Sequence, residues 1–224
     1  MRLNKESLLT NGVKSLEGML DMIDKAPKLN IDNLDSNKTI LIIIDMVNGF
    51  AKKGILSSPR VNDLISPITK LQNKCIMKDI YTLAFIDNHT KDSIELKFRP
   101  KHCIEDTDES KLVKEIEELG VDKVIKKNST NGFVNEAFID WKDALENKDF
   151  DNFIIVGDCT DICISQFALT LKAYFNERNL DKRVIVPINA VDTYDLDIHN
   201  GDLMNLISLY QFIDNGIEVV KSID

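Results

Sequence analysis

The chain has 224 residues, 43% of them hydrophobic and 29% charged, the balance of one soluble globular domain rather than of a disordered chain. With 28 basic against 37 acidic residues the formal charge is −9; such a surface repels phosphate backbones, no basic run with interleaved aromatics offsets it, and nucleic acid is not an expected partner. No apolar run approaches the roughly 20 residues of a membrane helix, the first residues carry no apolar export core, and four scattered cysteines make no disulfide framework. The expectation is a cytoplasmic protein with free thiols and no membrane contact.

In chain order, apolar residues at helical spacing (Val13, Leu16, Leu20, Ile23) predict an N-terminal helix over residues 13–23. It belongs to an extension, residues 1–38, that precedes the main domain, residues 39–224. A strand follows at 39–44, whose unbroken run of isoleucines fits a central strand buried on both faces. A helix at 61–74 carries Leu64, Ile65, Ile68 and Leu71 on one face, and a second strand covers 80–86. Residues 87–110 form a long polar loop, of the kind that is usually functional in a compact domain. Then come a helix at 109–119, strands at 123–126 and 153–156, a helix at 162–177, a strand at 183–187, a helix at 203–213 and a last strand at 217–220. Strands separated by helices require crossover connections and a largely parallel sheet covered on both faces. The fold class is therefore α/β, three layers, α/β/α, around a mostly parallel six-stranded sheet.

Sheets of this kind bind ligands at the carboxyl ends of their strands. Asp45 follows the first strand, Asp87 and His89 the second, Lys127 the third, and the run from Gly157 to Cys163 the fourth. If Thr160 or Asp161 caps the next helix, Cys163 lies in its first turn, where dipole and free N–H groups favour a thiolate. Those N–H groups, with that of Cys159, would hold an oxyanion. Asp45 would take the thiol proton, and Lys127 would stabilise the charge that develops. In the long loop, Asp87, His89, Glu95 and His102 offer two carboxylates and two imidazoles, a set suited to Zn²⁺, Mn²⁺ or Fe²⁺. His199, in DIHNGD, lacks such company and reads as a surface or loop histidine.

These residues carry a resemblance. IDMVNGF (Asp45, Phe50), KNSTNGF (Lys127, Phe133) and GDCTDIC (Gly157 to Cys163), in this order at strand ends, resemble the isochorismatase-like cysteine hydrolases, and within them most the nicotinamidases. The resemblance runs from about Thr39 to Val220. It implies a triad of Asp45, Lys127 and Cys163, a non-proline cis peptide at Asp158–Cys159 and a ring site lined by Phe50 and Phe133. It also implies one divalent metal, Zn²⁺ ahead of Mn²⁺ or Fe²⁺, on Asp87, His89, Glu95 and His102. The activity implied is hydrolysis of a small-molecule amide through a thioester, with a homo-oligomer the common assembly. Two positions depart from the pattern: Arg99 stands where many nicotinamidases have an aromatic residue before P-x-H-C, and Asp158 replaces a commonly apolar one. They leave open another small amide or carbamoyl compound as substrate, or an inactive relative that binds a small acid or a partner.

Overall fold

The alternation of apolar runs and amphipathic stretches resolves into a doubly wound sheet. The computed structural model describes residues 4–144 and 149–224. Helix α1 (Lys5–Asp24) leads to strand β1 (Thr39–Ile44), the single turn α2 (Asn48–Ala51), and helices α3 (Pro59–Asp63) and α4 (Ile65–Met77). Strand β2 (Tyr81–Asp87), the turn α5 (Lys114–Glu117), strand β3 (Lys123–Lys127) and helix α6 (Glu136–Ala144) follow. Strand β4 (Asn152–Asp158) runs into a π-helical turn, Thr160–Ile164, and helix α7 (Ser165–Glu177). Strand β5 (Arg183–Pro187), the two-residue β6 (Val191–Asp192), helix α8 (Gly201–Asp214) and β7 (Glu218–Val220) complete the order.

All the strand pairs are parallel, and the sheet has seven strands rather than six, in the order β3-β2-β1-β4-β5-β7 with β6 paired to β4. β6 takes over the end of β4, at Gly157 and Asp158, after β5 has diverged from it; two residues are too few for a sequence pattern. The chain winds outward from β1 through β2 and β3, then from β4 through β5 and β7, so the direction reverses between β1 and β4. Ligands bind in the crevice that such a reversal opens.

β1 shows why the sheet is central. Leu41 and Ile43 face one hydrophobic cluster, with Ile68, Leu71 and Val113; Ile40, Ile42 and Ile44 face the other, with Phe167, Leu171 and Phe212. Successive side chains of a strand point to opposite faces, so a strand apolar at every position must be covered twice. The region before β1 joins this body. α1 packs on α8, the Leu29 and Ile31 N–H groups donate to the Ser222 and Asp224 carbonyls, and Ile31 and Leu34 lie in the core.

Three helix expectations change for identifiable reasons. The helix expected at 61–74 breaks at Leu64 into α3 and α4, because Pro67 has no N–H to continue the ladder. The helix expected at 109–119 is one turn, α5. The carbonyls of Glu109 and Lys111 accept from Gly49 and Asn48, and Val113 donates to Met46, so this backbone pairs with the chain after β1 instead. α6 was not expected; it buries one side chain, Phe138, and so has almost no apolar period.

Candidate active site

Four strand ends converge on one crevice. Asp45 follows β1 with φ 56°, a left-handed conformation that aspartate tolerates better than most residues, and its N–H donates to the Phe85 carbonyl at 3.0 Å. Gly157, opposite Ile44 in register, has φ 118°, and a Cβ there would lie 1.9 Å from the Ile44 carbonyl oxygen. Only glycine lets β4 approach β1 so closely, and that approach brings the turn that carries Cys163 beside Asp45. Asp87 and Lys127 end β2 and β3 as register partners. The Asp158–Cys159 peptide is cis, as the sequence resemblance implies.

Asp45, Lys127 and Cys163 meet in the interior. Lys127 Nζ lies 2.8 Å from Asp45 Oδ2 and 3.8 Å from Cys163 Sγ, and it also donates to Asp87 Oδ1. Burial pushes the Asp45 carboxyl up to about 7, against the pull of Lys127 and a hydrogen bond with Cys163. A group that titrates near neutrality is suited to moving a proton both ways. Burial disfavours the Lys127 ammonium, but Asp45 and Asp87 more than offset it and hold the lysine protonated. Burial opposes ionisation of Asp87 too; the Lys127 ammonium holds its carboxyl well below the usual range. The Cys163 thiol is pushed up by burial despite Lys127. This direction is opposite to the one expected from a helix N-terminus, because the site is drier than a helix terminus open to water. The Cys159 carbonyl accepts from Ile162 and Ile164 at 3.0 and 3.2 Å, which fixes the π-helical turn that holds Cys163.

Cys163 opens onto a cavity of about 440 Å³, whose walls include Phe50, Asp87, Arg99, His102, Asp158 and Tyr194. Asp158 is buried, and its Oδ1 has no hydrogen-bond partner. Phe50 lines the cavity, with its ring centroid 5.5 Å from that of His102. Phe133 does not line the cavity: it packs on Phe138, Phe167 and Tyr174, beyond Gly132, which sits against the Phe85 ring.

Beside the triad, the His89 Nε2 and His102 Nε2 atoms approach Asp87 Oδ2 at 3.3 and 3.5 Å. His89 donates its backbone N–H to the Cys103 carbonyl, which brings the distant end of the long loop against the end of β2. His102 Nδ1 faces the Pro100 carbonyl at 2.7 Å, and His89 Nδ1 faces Asn128 Oδ1 at 3.4 Å. With the Nδ1 atoms committed as donors, both Nε2 lone pairs are directed to a common point, the arrangement of metal-ligating histidines. His89 Nε2 is buried without a hydrogen-bond partner, so the three residues fit a divalent cation. Glu95 is not in this cluster: its carboxylate accepts from the Thr130 N–H and hydroxyl at 3.0 and 2.5 Å, with Arg99 Nε 3.4 Å away.

His199 is the functional-site residue that sequence reasoning missed. It is not a solitary surface histidine: Nε2 lies 2.9 Å from Asp161 Oδ2, Nδ1 faces the Tyr194 carbonyl at 3.0 Å, and its ring stacks on Tyr194 at 3.9 Å. It ties the cavity wall around Tyr194 to the turn that carries Cys163. No sequence signal marks it, because the strand legible before it ends at Pro187 and its partners Asp161 and Tyr194 are brought to it by the fold.

A buried thiol, carboxylate and ammonium thus meet at the switch point of a parallel sheet. The isochorismatase domain matches residues 39–217, and the chain belongs to the isochorismatase family, as a hydrolase acting on amide C–N bonds. It is 31% identical to Nicotinamidase 1 of Arabidopsis thaliana over 212 residues, 82% of this chain and 85% of that one. The N-carbamoylsarcosine amidase of Thermoplasma acidophilum superposes with a TM-score of 0.64 at 25% identity, over 84% of this chain and 98% of that one. The pyrazinamidase of Pyrococcus horikoshii in complex with zinc shares the fold, with a TM-score of 0.66 at 22% identity, over 82% and 99%. Among the described residues no helix is long and apolar enough to cross a membrane.

Proposed function

We propose that this hydrolase is a nicotinamidase, converting nicotinamide and water to nicotinate and ammonia. The observation that carries the reading is Asp87, whose two oxygens join the catalytic lysine to the paired histidines; similarity to the Arabidopsis nicotinamidase supports it. In this reading Asp45 accepts the Cys163 proton and the sulfur attacks the amide carbon. The N–H groups of Cys159 and Cys163 hold the oxyanion. The C–N bond breaks as Asp45 returns the proton to the leaving nitrogen, which departs as ammonia. Asp45 then takes a proton from water, whose oxygen displaces Cys163 from the thioester. Lys127 keeps the charges of Asp45 and Cys163 tolerable away from bulk water. Phe50 flanks the ring. Asp87, His89 and His102 would hold the metal, zinc in the first place, with Glu95 entering only if it left Thr130; the bound ion would supply a Lewis-acid anchor for the pyridine nitrogen. The biological setting of this reading is cytoplasmic NAD salvage by a homo-oligomer.

Arg99 and Asp158, whose Oδ1 lacks a hydrogen-bond partner, favour a second reading, an N-carbamoyl compound, since both bring polar groups to a wall where a pyridine needs none. The test is ammonia release from nicotinamide and from an N-carbamoyl amino acid, by the parent and by Cys163→Ala. Release from nicotinamide that disappears in the variant supports the first reading; release from the carbamoyl compound alone replaces it with the second. Persistent release by Cys163→Ala overturns the nucleophile assignment in either case.

A further inference from the structure

The cavity above Cys163 changes character between its floor and its rim. Its deep wall is polar and buried, with Asp87, His102 and Asp158. Its outer wall carries Ile55, Phe98 and Leu196, which are 70%, 74% and 67% exposed. Of the other charged residues that line it, Glu95 and Arg99 lie 3.4 Å apart, and Asp195 stands in solvent. A single apolar side chain in water is ordinary, but three from separate segments around one opening mark a place where something binds. At about 440 Å³ the cavity also falls in the range that encloses a drug-sized ligand, more than one six-membered ring with its carboxamide requires.

The rim is fixed rather than free to fold inward. Beside Ile55, the Ser58 N–H donates to the Phe50 carbonyl at 2.9 Å and the Ser57 hydroxyl to the Gly54 carbonyl at 2.9 Å. Arg60 then fastens this segment to the one that carries Leu196, donating from Nε to the Thr193 carbonyl at 3.1 Å and from Nη2 to Asp192 Oδ1 at 2.8 Å. Leu196 itself is held by its backbone pair with His199. Phe98 donates its N–H to the carbonyl of Glu95, whose carboxylate is tied to Thr130. A ligand that covers these side chains therefore finds them already ordered, which lowers the cost of association.

We propose that Ile55, Phe98 and Leu196 form a subsite for an apolar arm, alkyl or aryl, on the part of the amide that stays on Cys163 when ammonia leaves. The carbonyl carbon is held at the floor, and the arm runs outward until the rim covers it. The amides served best are accordingly those with a hydrophobic substituent, with the bare ring or carbamoyl group as the minimal substrate. The proposal rests on Cys163 as the nucleophile of an amide hydrolase, and not on which of the two amide classes above it cleaves.

Straight-chain aldehydes from butanal to heptanal test it on the full chain. The Cys163 S–H adds across the aldehyde C=O: sulfur bonds to carbon, the proton passes to oxygen, and the carbon chain starts where an acyl chain would. The readout is the aldehyde concentration that halves alkylation of Cys163 by iodoacetamide, followed by mass spectrometry of the peptide that carries it. In the parent this concentration is expected to fall about threefold for each methylene the rim covers. Phe98→Ser with Leu196→Ser, and separately Ile55→Ser, should shrink that step; all three side chains are exposed, so the fold does not depend on them. Ile198→Ser, at a position 95% exposed that does not line the cavity, should keep the parent's step. No protection by any aldehyde, protection independent of chain length, rim variants with the parent's step, or an Ile198→Ser step as small as theirs would overturn the proposal. Ammonia release from nicotinamide is scored separately: its absence removes the nicotinamidase reading and leaves the aldehyde series standing.

Discussion

The floor and the rim of one cavity differ in almost every physical respect. Asp45 and Lys127 are buried at the ends of strands and Cys163 in the π-helical turn after β4, where the sheet fixes each backbone and a neighbouring charge answers each charge. Ile55, Phe98 and Leu196 stand in solvent on loops whose positions depend on a few side-chain contacts. The floor is therefore intolerant of change and the rim permissive, the division expected where chemistry is kept and partners or substrates are varied.

The harshest test of that contrast is Lys127→Met. It strands two buried carboxylates without their cation, and breaking a buried pair this way costs about 3–5 kcal/mol. Denaturant unfolding should show that loss together with loss of turnover. Adding Asp45→Asn should recover part of the stability and none of the activity; full stability in the single variant would mean the floor is less tightly coupled than its distances indicate.

Metal removal comes next. A cation that binds only the folded chain stabilises it by about 2.7 kcal/mol at a hundredfold excess over its Kd. Zn²⁺ or Mn²⁺ added to chelated protein should raise Tm, and His89→Ala should abolish the rise. An equal rise in that variant would place the ion elsewhere.

On the wall, His199→Gln removes the ring stack on Tyr194 and the imidazole contact with Asp161. A stability loss of about 1 kcal/mol is expected, with a higher KM and a smaller change in kcat, because Tyr194 is displaced while Cys163 keeps its turn. The smallest effect is expected from Phe133→Leu. It should cost about 1 kcal/mol of unfolding free energy as a trimmed packing residue and leave KM unchanged; a raised KM would return Phe133 to the substrate site.

The same division explains what the sequence could reveal. β1 and β5 end where their apolar runs end, and the polar residue following each strand of the inner sheet marks the floor, because topology alone carries strand ends to one edge. Gly157 was legible as part of a motif, although its reason, the approach of the Ile44 carbonyl, was not. Misreadings arose where distant backbone or side-chain partners decided the outcome. Glu95 had the right chemistry for a ligand, yet Thr130 satisfies it. Phe133 followed the lysine as the motif implied, but the aromatic cluster around Phe138 claims its ring. His199 became informative only once the fold set Asp161 and Tyr194 beside it, and no local spacing encodes that meeting.

The two oxygens of Asp87 have a consequence for how such a site can change over time. His89 and His102 can be exchanged one at a time while Lys127 retains both its counter-charges, so a descendant has stepwise routes to a new ion or to none. Asp87 offers no such step, because replacing it alters the ion cluster and the lysine in a single event. Variation among relatives should therefore accumulate first at the imidazoles, with the aspartate as the last position to move.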